Sequence, residues 1–392
     1  MRILQLVNIG YEAGGAERSV HLLQCELRSR GHQVLVVATD KDLGDKAPFA
    51  DVILRRQRGS FLGRVLRHSW NRQISSKLRS LVRSYRPDIV HLHTIGDFSP
   101  SVFSALRETP CIHTVHGPEE YTKSLLRWHL PPSDYAHASY QQGDLLLSGR
   151  LRLAYYRLIQ RPLYMRGLRR LRLLIGPSAF MANAVKHDAK GVATRHVPNG
   201  IELPDAAPLT ARPNVLYVGR LEAVKGVDHL IRSMSDVVKD VPDAKLTVVG
   251  DGSARPQLEA LVHELNLVDR VTFAGWIDAD VLAAHYKECR VFVVPSIWPE
   301  NLPTVAIEAL AFARPIIGAN VGGIPELVEP GVNGWIVEPA DREGLANAIR
   351  LSLSDLVDLE ALACGSREKV GQFDITVFVE TIERIYSELV GV

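Results

Sequence analysis

Short runs of aliphatic and β-branched residues alternate with longer amphipathic stretches along the whole chain. ILQLVN (3–8) leads into a Gly-rich loop and a helical pattern over about 16–30, and QVLVVAT (33–39) reads as the next strand. DIVHLHT (88–94), CIHTVHG (111–117), LLIGPS (173–178) and TRHVPNG (194–200) follow, each ending in polar or turn-forming residues where a strand should stop. Such alternation predicts an α/β protein with parallel sheets.

IELPDAAPLTARP (201–213) has three prolines and no apolar period, and reads as a linker. The pattern then restarts. NVLYVGR (214–220), AKLTVVGDG (244–252), RVTFAGW (270–276), VFVVPS (291–296), PIIGAN (315–320) and GWIVEP (334–339) read as strands. Helices are expected at about 227–239, 254–265, 280–288 and 303–313. Two halves that each begin strand–Gly–helix predict paired Rossmann-like domains over 1–200 and 214–372, facing each other across a cleft. Ligands of such sheets sit beyond the carboxyl ends of the strands. The last stretch, 373–392, has the pattern of an amphipathic helix and is expected to cross back to the N-terminal domain.

The 392 residues exceed one ordinary core, which agrees with two domains. No apolar run reaches the roughly 18 residues of a membrane span, and MRILQLVNIGYEAGG lacks the pattern of a signal peptide. The four cysteines are scattered and form no Cys-x-x-Cys pair. A reduced, cytoplasmic setting is expected, and a metal cluster is not. Charge changes the picture more. Residues 1–200 hold 30 Lys and Arg against 15 Asp and Glu, and the remainder holds 16 against 29. Two tracts lack acidic residues altogether, 52–87 with ten basic side chains and 150–172 with eight arginines. The plain reading is solvated helix faces. The sharper one is a surface that meets anionic lipid headgroups, at the inner face of the membrane, or an acidic acceptor. Nucleic acid is not expected as a partner, since no such motif occurs and the other half is acidic.

Candidate chemistry gathers at strand ends. In PSIWPENLPTVAIEALAFARPIIG (295–318), Glu300 and Glu308 stand eight residues apart around an apolar run. A buried carboxylate is costly unless something pairs with it. A helix starting near Pro303 would place that proline in its first turn, with the amides of Asn301, Leu302 and Thr304 near a positive helix end that favours phosphate or sugar hydroxyls. Glu308, a turn inside, could accept from a ribose diol; the alternative is a helix-start carboxylate and an incidental buried acid. In VGRLEAVKG (218–226), Arg220 and Lys225 could clamp a diphosphate. In GYEAGGAERSV (10–20), Gly14 and Gly15 allow close backbone approach before a helix, or serve only a tight turn. His116 of HTVHG (113–117) ends a strand and is expected to face the cleft, unless it is a structural histidine. Asp278-Ala279-Asp280 is formally an Asp-x-Asp metal signature, but its place before a helix favours N-capping.

The GGAE loop, the strand-end His-Gly, G-R-L-x-x-x-K-G, V-V-G-D-G and P-S-x-x-x-E-x7-E resemble, in this order and spacing, the GT-B glycosyltransferases of family 4, the group 1 glycosyl transferases. GANVGGIPELVEPGVNGWIVEP (318–339) resembles the family as well. The resemblance implies a retaining, metal-independent hexosyltransferase with a nucleotide-diphosphate sugar, UDP- or GDP-linked, as donor. It implies that Arg220 and Lys225 hold the diphosphate, Glu308 the ribose, and Glu300 with the backbone of Asn301, Leu302, Pro303 and Thr304 the sugar. Gly14, Gly15 and Gly250 would lie against the donor, His116 near the sugar hydroxyls, and the base along Gly275, Trp276 and Ile277. His116, Glu300, Arg220 and Lys225 would carry the chemistry. No cofactor is implied. Asn301-Leu302 departs from the family's frequent Gly-Phe or Gly-Leu, which bears on donor choice. The acceptor would be a sugar, a glycolipid or a small glycoside. Competing expectations are a nucleotide-sugar epimerase on the same fold and a non-catalytic membrane- or polyanion-binding protein.

Overall fold

The computed structural model describes residues 1–56, 67–117, 154–205, 208, 210 and 212–391. The described chain divides into two compact units. One holds the residues up to Gly200 together with those from Ile375 onward, and the other runs Ile201–Asp374.

The first unit comprises β1 (Arg2–Ile9), α1 (Gly15–Ser29), β2 (Gln33–Thr39), β3 (Val52–Leu54), α2 (Arg72–Tyr85), β4 (Ile89–Leu92), α3 (Val102–Ala105), β5 (Cys111–Thr114), α4 (Arg161–Leu168), β6 (Leu173–Gly176), α5 (Ala179–Asp188) and β7 (Thr194–His196). Among the described residues the strands form one parallel sheet in the order β3-β2-β1-β4-β5-β6-β7. β4, β5 and β6 are buried along their whole length, as continuous apolar strands covered on both faces must be. α1 turns Val20, Leu23 and Leu27 inward, with Glu17 in its first turn and Arg28 in its last to complement the helix dipole.

The second unit comprises β8 (Asn214–Val218), α6 (Val227–Asp240), β9 (Lys245–Val249), α7 (Arg255–Glu264), β10 (Val271–Gly275), α8 (Ala279–Glu288), β11 (Val291–Val294), α9 (Thr304–Ala311), β12 (Ile316–Ala319), β13 (Gly334–Val337), α10 (Arg342–Leu353) and α11 (Leu359–Val370). Its parallel sheet runs β10-β9-β8-β11-β12-β13. In both sheets the order reverses beside the first strand, between β1 and β4 and between β8 and β11. A doubly wound sheet opens its ligand crevice at that switch point.

α12 (Ile375–Val390) belongs to the first unit. Its Ile375, Phe378, Val379, Ile382, Ile385 and Tyr386 recur at helical spacing and join the core that holds Val20, Leu23 and Leu27 of α1. The segment read as a linker is anchored where it begins: Ile201 is buried and its amide donates to the Phe373 carbonyl at 2.8 Å.

Several elements lay outside the sequence reading. β3 is three residues long, and α2, α5, α10 and α11 set their apolar stripes among charged and polar residues. α2 also answers part of the charge question. Within 52–87, residues 57–66 lie outside the described residues, and on α2 Arg72, Lys77, Arg79 and Arg83 are exposed while Ile74 and Leu78 are buried. That is the plain solvated face. In the second tract, 150–153 lie outside the described residues.

Candidate functional site

In the second unit the loops that leave β8 and β11 are stitched together at the switch point. Gly226 has φ +67°, and a Cβ there would fall 2.1 Å from the Pro295 carbonyl oxygen. Glycine is needed for both reasons. The amides of Ile297 and Trp298 donate to the Val224 carbonyl at 3.0 and 3.2 Å. This contact delivers Lys225, on the short helical turn Ala223–Lys225, to Glu300. Lys225 Nζ lies 2.6 Å from Glu300 Oε1, and the Ser296 hydroxyl donates to the same oxygen at 2.7 Å. The two charged side chains are only 20% and 14% exposed, so the pair is largely shielded from water. The Gly323 amide donates to the Glu300 carbonyl at 2.8 Å and fixes the loop from behind.

Arg220 is exposed, and its carbonyl accepts from the buried Tyr217 hydroxyl at 3.0 Å. Burial pushes the Tyr217 phenol well above its ordinary range. Glu300 pushes it the same way and Arg220 the other, so both charges border this hydroxyl. Gly250 follows β9 with φ +122°, and a Cβ there would fall 2.0 Å from the Gly219 carbonyl oxygen. Its amide donates to Gly275 at 2.8 Å, which draws the ends of β8, β9 and β10 together. Beyond Gly275, Trp276 stands 76% exposed and Ile277 half-buried.

The acid at 308 has its partner already. Side chains on a helix lean toward its N-terminus, and Glu308 Oε2 accepts from the Tyr286 hydroxyl at 3.0 Å beside the Val305 carbonyl, also 3.0 Å from that hydroxyl. Tyr286 is fully buried on α8 and stacks on Phe312 with ring centroids 5.3 Å apart. Two local expectations need correction. Pro303 is the N-cap of α9 rather than a first-turn residue, with ψ 110°, because the chain enters the helix from an extended loop. Its carbonyl accepts from Ala306 and Ile307, so the amides of Thr304 and Val305 have no acceptor within the helix. Leu302 is buried and Asn301 half-buried beside them. Asp278 does sit at the N-cap of α8 with extended backbone, but its carboxylate makes no capping bond.

In the first unit, Gly14 is the exposed N-cap of α1 and Gly15 its first residue. The tight-turn reading fails at Gly14. Its φ of −176° is extended backbone open to any residue, and an added Cβ would meet nothing nearer than Glu17 Oε2 at 3.6 Å. Two residues beyond β5, His116 turns its Nε2 to His93 Nδ1 at 3.1 Å. Burial, and after it nearby His113, lowers the His116 pKa to about 3. His116 is thus half of an imidazole pair at the carboxyl ends of β4 and β5, not a lone strand-end histidine. Among the described residues no group of His, Cys, Asp and Glu has the arrangement of a metal site, and no helix is long and apolar enough to cross a membrane.

The structure therefore brings Arg220, Lys225 and Glu300 to one switch point, with Glu308 on the helix that follows. Sequence reasoning missed Ser296, Tyr217, Tyr286 and His93. Ser296 lay inside the quoted stretch. His93 had a signal of its own, since His91 and His93 alternate on a strand and so share a face. Tyr286 had none, being 22 residues from the carboxylate that it holds.

The family model of glycosyl transferases group 1 matches residues 204–368, and that of glycosyltransferase family 4 matches 13–204. Alpha-D-kanosaminyltransferase of Streptomyces kanamyceticus is 30% identical over 212 residues, 54% of this chain and 53% of its own length. Sulfoquinovosyl transferase SQD2 of Arabidopsis thaliana is 26% identical over 365 residues, 89% of this chain and 65% of its own. The chain thus spans about half the length of the first of these curated relatives and about two thirds of the second. Among solved structures, sucrose-phosphate synthase from Thermosynechococcus elongatus superposes with a TM-score of 0.76 at 26% identity, covering 99% of both chains. Anabaena HepE, solved with UDP, shares the fold with a TM-score of 0.73 at 22% identity.

Proposed function

The chain belongs to the group 1 and family 4 glycosyltransferases, and from that premise we propose that it moves a hexosyl group, with retention of anomeric configuration, from a nucleotide-diphosphate sugar to an acceptor hydroxyl. The observation that carries this reading is the Lys225–Glu300 pair at the β8/β11 switch point. An ammonium has three donors, and Glu300, itself held by the Ser296 hydroxyl, engages one of them. A diphosphate arriving at this point meets the remaining donors, the exposed Arg220 guanidinium and the open amides at the start of α9. As the nucleoside diphosphate departs it gains negative charge, and fixed cations and amides of this kind stabilise that charge as it develops. Glu308, already oriented by Tyr286, is assigned to the ribose diol. Glu300 and the backbone of 301–304 are assigned to the donor sugar, and Trp276 and Ile277 to the base. From the first unit the proposal takes Gly14 and Gly15 against the phosphate and His116 against sugar hydroxyls. The donor set needs no metal ion in this scheme.

UDP- and GDP-sugars are the proposed donors. A sugar, glycolipid or small glycoside is the proposed acceptor. A second reading adds docking on anionic membrane through the first unit. It is favoured by Leu158, 77% exposed, and Ile159, 46% exposed, set among Arg157, Arg161 and Arg166. Flotation with anionic vesicles checks it, and protein that stays at the bottom removes it.

The transferase reading is tested by calorimetry with UDP and GDP and by transfer assays. Lys225→Ala should weaken nucleotide binding about tenfold or more, the worth of a charge-assisted hydrogen bond. Glu300→Gln keeps the Ser296 bond and should hold the nucleotide but lose transfer. Unchanged nucleotide affinity in Lys225→Ala overturns the assigned site. A new epimer formed from donor alone, with no acceptor present, overturns the reaction class.

A further inference from the structure

We infer that Arg255 reads the base of the donor nucleotide and selects a keto base over an amino one. Its open guanidinium N–H groups donate to the carbonyl oxygen that uracil and guanine carry away from the glycosidic bond. The inference deepens the reading proposed above and rests on its assignment of the base to Gly275, Trp276 and Ile277.

Arg255 is the first residue of α7, on the loop side of the β9 carboxyl end. Its Nε donates to Glu259 Oε1 at 2.8 Å and its Nη1 to Asp251 Oδ2 at 3.3 Å. The five N–H groups of a guanidinium form a rigid planar fork, so anchoring two of its nitrogens sets the direction of the third. The group is half-buried, 6.0 Å from the ring centroid of Phe273 on β10. Nη2 makes no hydrogen bond among the described residues.

The open edge lies against Gly275. That residue ends β10 with φ +70°, where glycine is favoured, and a Cβ there would stand 3.4 Å from Nη1. A longer side chain would cap the guanidinium, and glycine leaves it uncovered. β10 is the edge strand of its sheet, whereas the ribose is assigned to Glu308 beyond β11. A base reaching Gly275 from that ribose presents its remote edge here.

Charge decides what kind of group belongs at this corner. Asp251 and Glu259 outweigh the single cation, so a phosphate is disfavoured and a neutral acceptor is not. Arginine offers donors only. The remote exocyclic group is an acceptor oxygen in uracil and guanine, and a donor amine in cytosine and adenine. An amine set against the guanidinium leaves donors unpaired on both sides.

The test is calorimetry of the full chain with UDP, GDP, CDP, ADP and, by competition, inorganic pyrophosphate. UDP should bind at least about tenfold tighter than CDP, or GDP than ADP. Arg255→Met keeps an unbranched stem and removes every N–H. It should weaken the preferred keto nucleotide about tenfold, bring it level with its amino counterpart and leave pyrophosphate unchanged. Unchanged pyrophosphate affinity also shows that the second unit of the variant is folded. An intact keto preference in Arg255→Met overturns the inference, as does a wild-type chain that binds amino and keto nucleotides alike. Loss of pyrophosphate affinity overturns it too, since it makes Arg255 a phosphate contact or a structural one. Lys225→Ala separates the two failures: it weakens every ligand, pyrophosphate included, where the assigned site stands, and none where that site is wrong.

Discussion

A carboxylate on a largely apolar helix needs company before any ligand arrives, and Glu308 finds it in the Tyr286 hydroxyl. Tyr286→Phe keeps the ring stacked on Phe312 and removes only that donor. Nucleotide affinity should fall roughly five- to tenfold, the value of one hydrogen bond, and calorimetry of the variant reads it. An affinity equal to wild type would show that Glu308 needs no such hold. Glu300 makes the same point with a charge instead of a hydroxyl, since Lys225 and Ser296 both engage its carboxylate. The two glutamates stood out in the sequence because acids are rare in apolar runs. Their partners did not, because Lys225 is 75 residues away in the chain and only sheet pairing brings it near.

At the scale of elements, β4, β5 and α12 enclose a set of neutral imidazoles. Burial lowers the pKa values of His91, His93 and His113, that of His113 to about 4. The folded chain thus binds fewer protons there than the unfolded chain, whose histidines titrate near 6.5. Stability therefore rises with pH across this window and is lost as pH falls below about 6.5. Hydrogen exchange corrected for intrinsic rate should show β4, β5 and α12 losing protection between pH 7 and pH 5. Equal protection at both values would mean that the cluster accepts charge. The strands themselves were legible, because apolar runs of four to eight residues between turn signals have few alternatives. The short β3 was not, since three residues carry no period of their own.

For the whole molecule, two units with separate cores predict two unfolding steps rather than one. In the proposed site Lys225, Arg220 and Glu308 of the second unit make most of the nucleotide's contacts. Saturation at 100 times the dissociation constant should stabilise that unit's transition by about 2.7 kcal/mol and move the other less. A calorimetric scan with UDP or GDP checks this, and two unshifted transitions would refute it. The division of charge, basic in the first 200 residues and acidic after them, belongs to this scale as well. It was visible by counting, whereas α2 shows that a basic tract can be an ordinary solvated face.

Taken alone, the chain determined its strands other than β3, its two-fold repetition of strand–Gly–helix and the identity of the charged groups at strand ends. These follow from local periodicity and from the cost of burying charge, both of which act between near neighbours. Only the tertiary structure decided which of those groups meet. Strand order carries Lys225 to Glu300, a helix crossing carries Tyr286 to Glu308, and the end of β4 carries His93 to His116. Hydrogen bonds reach about 3 Å, so their partners are set by sheet and helix packing and leave no mark on sequence spacing.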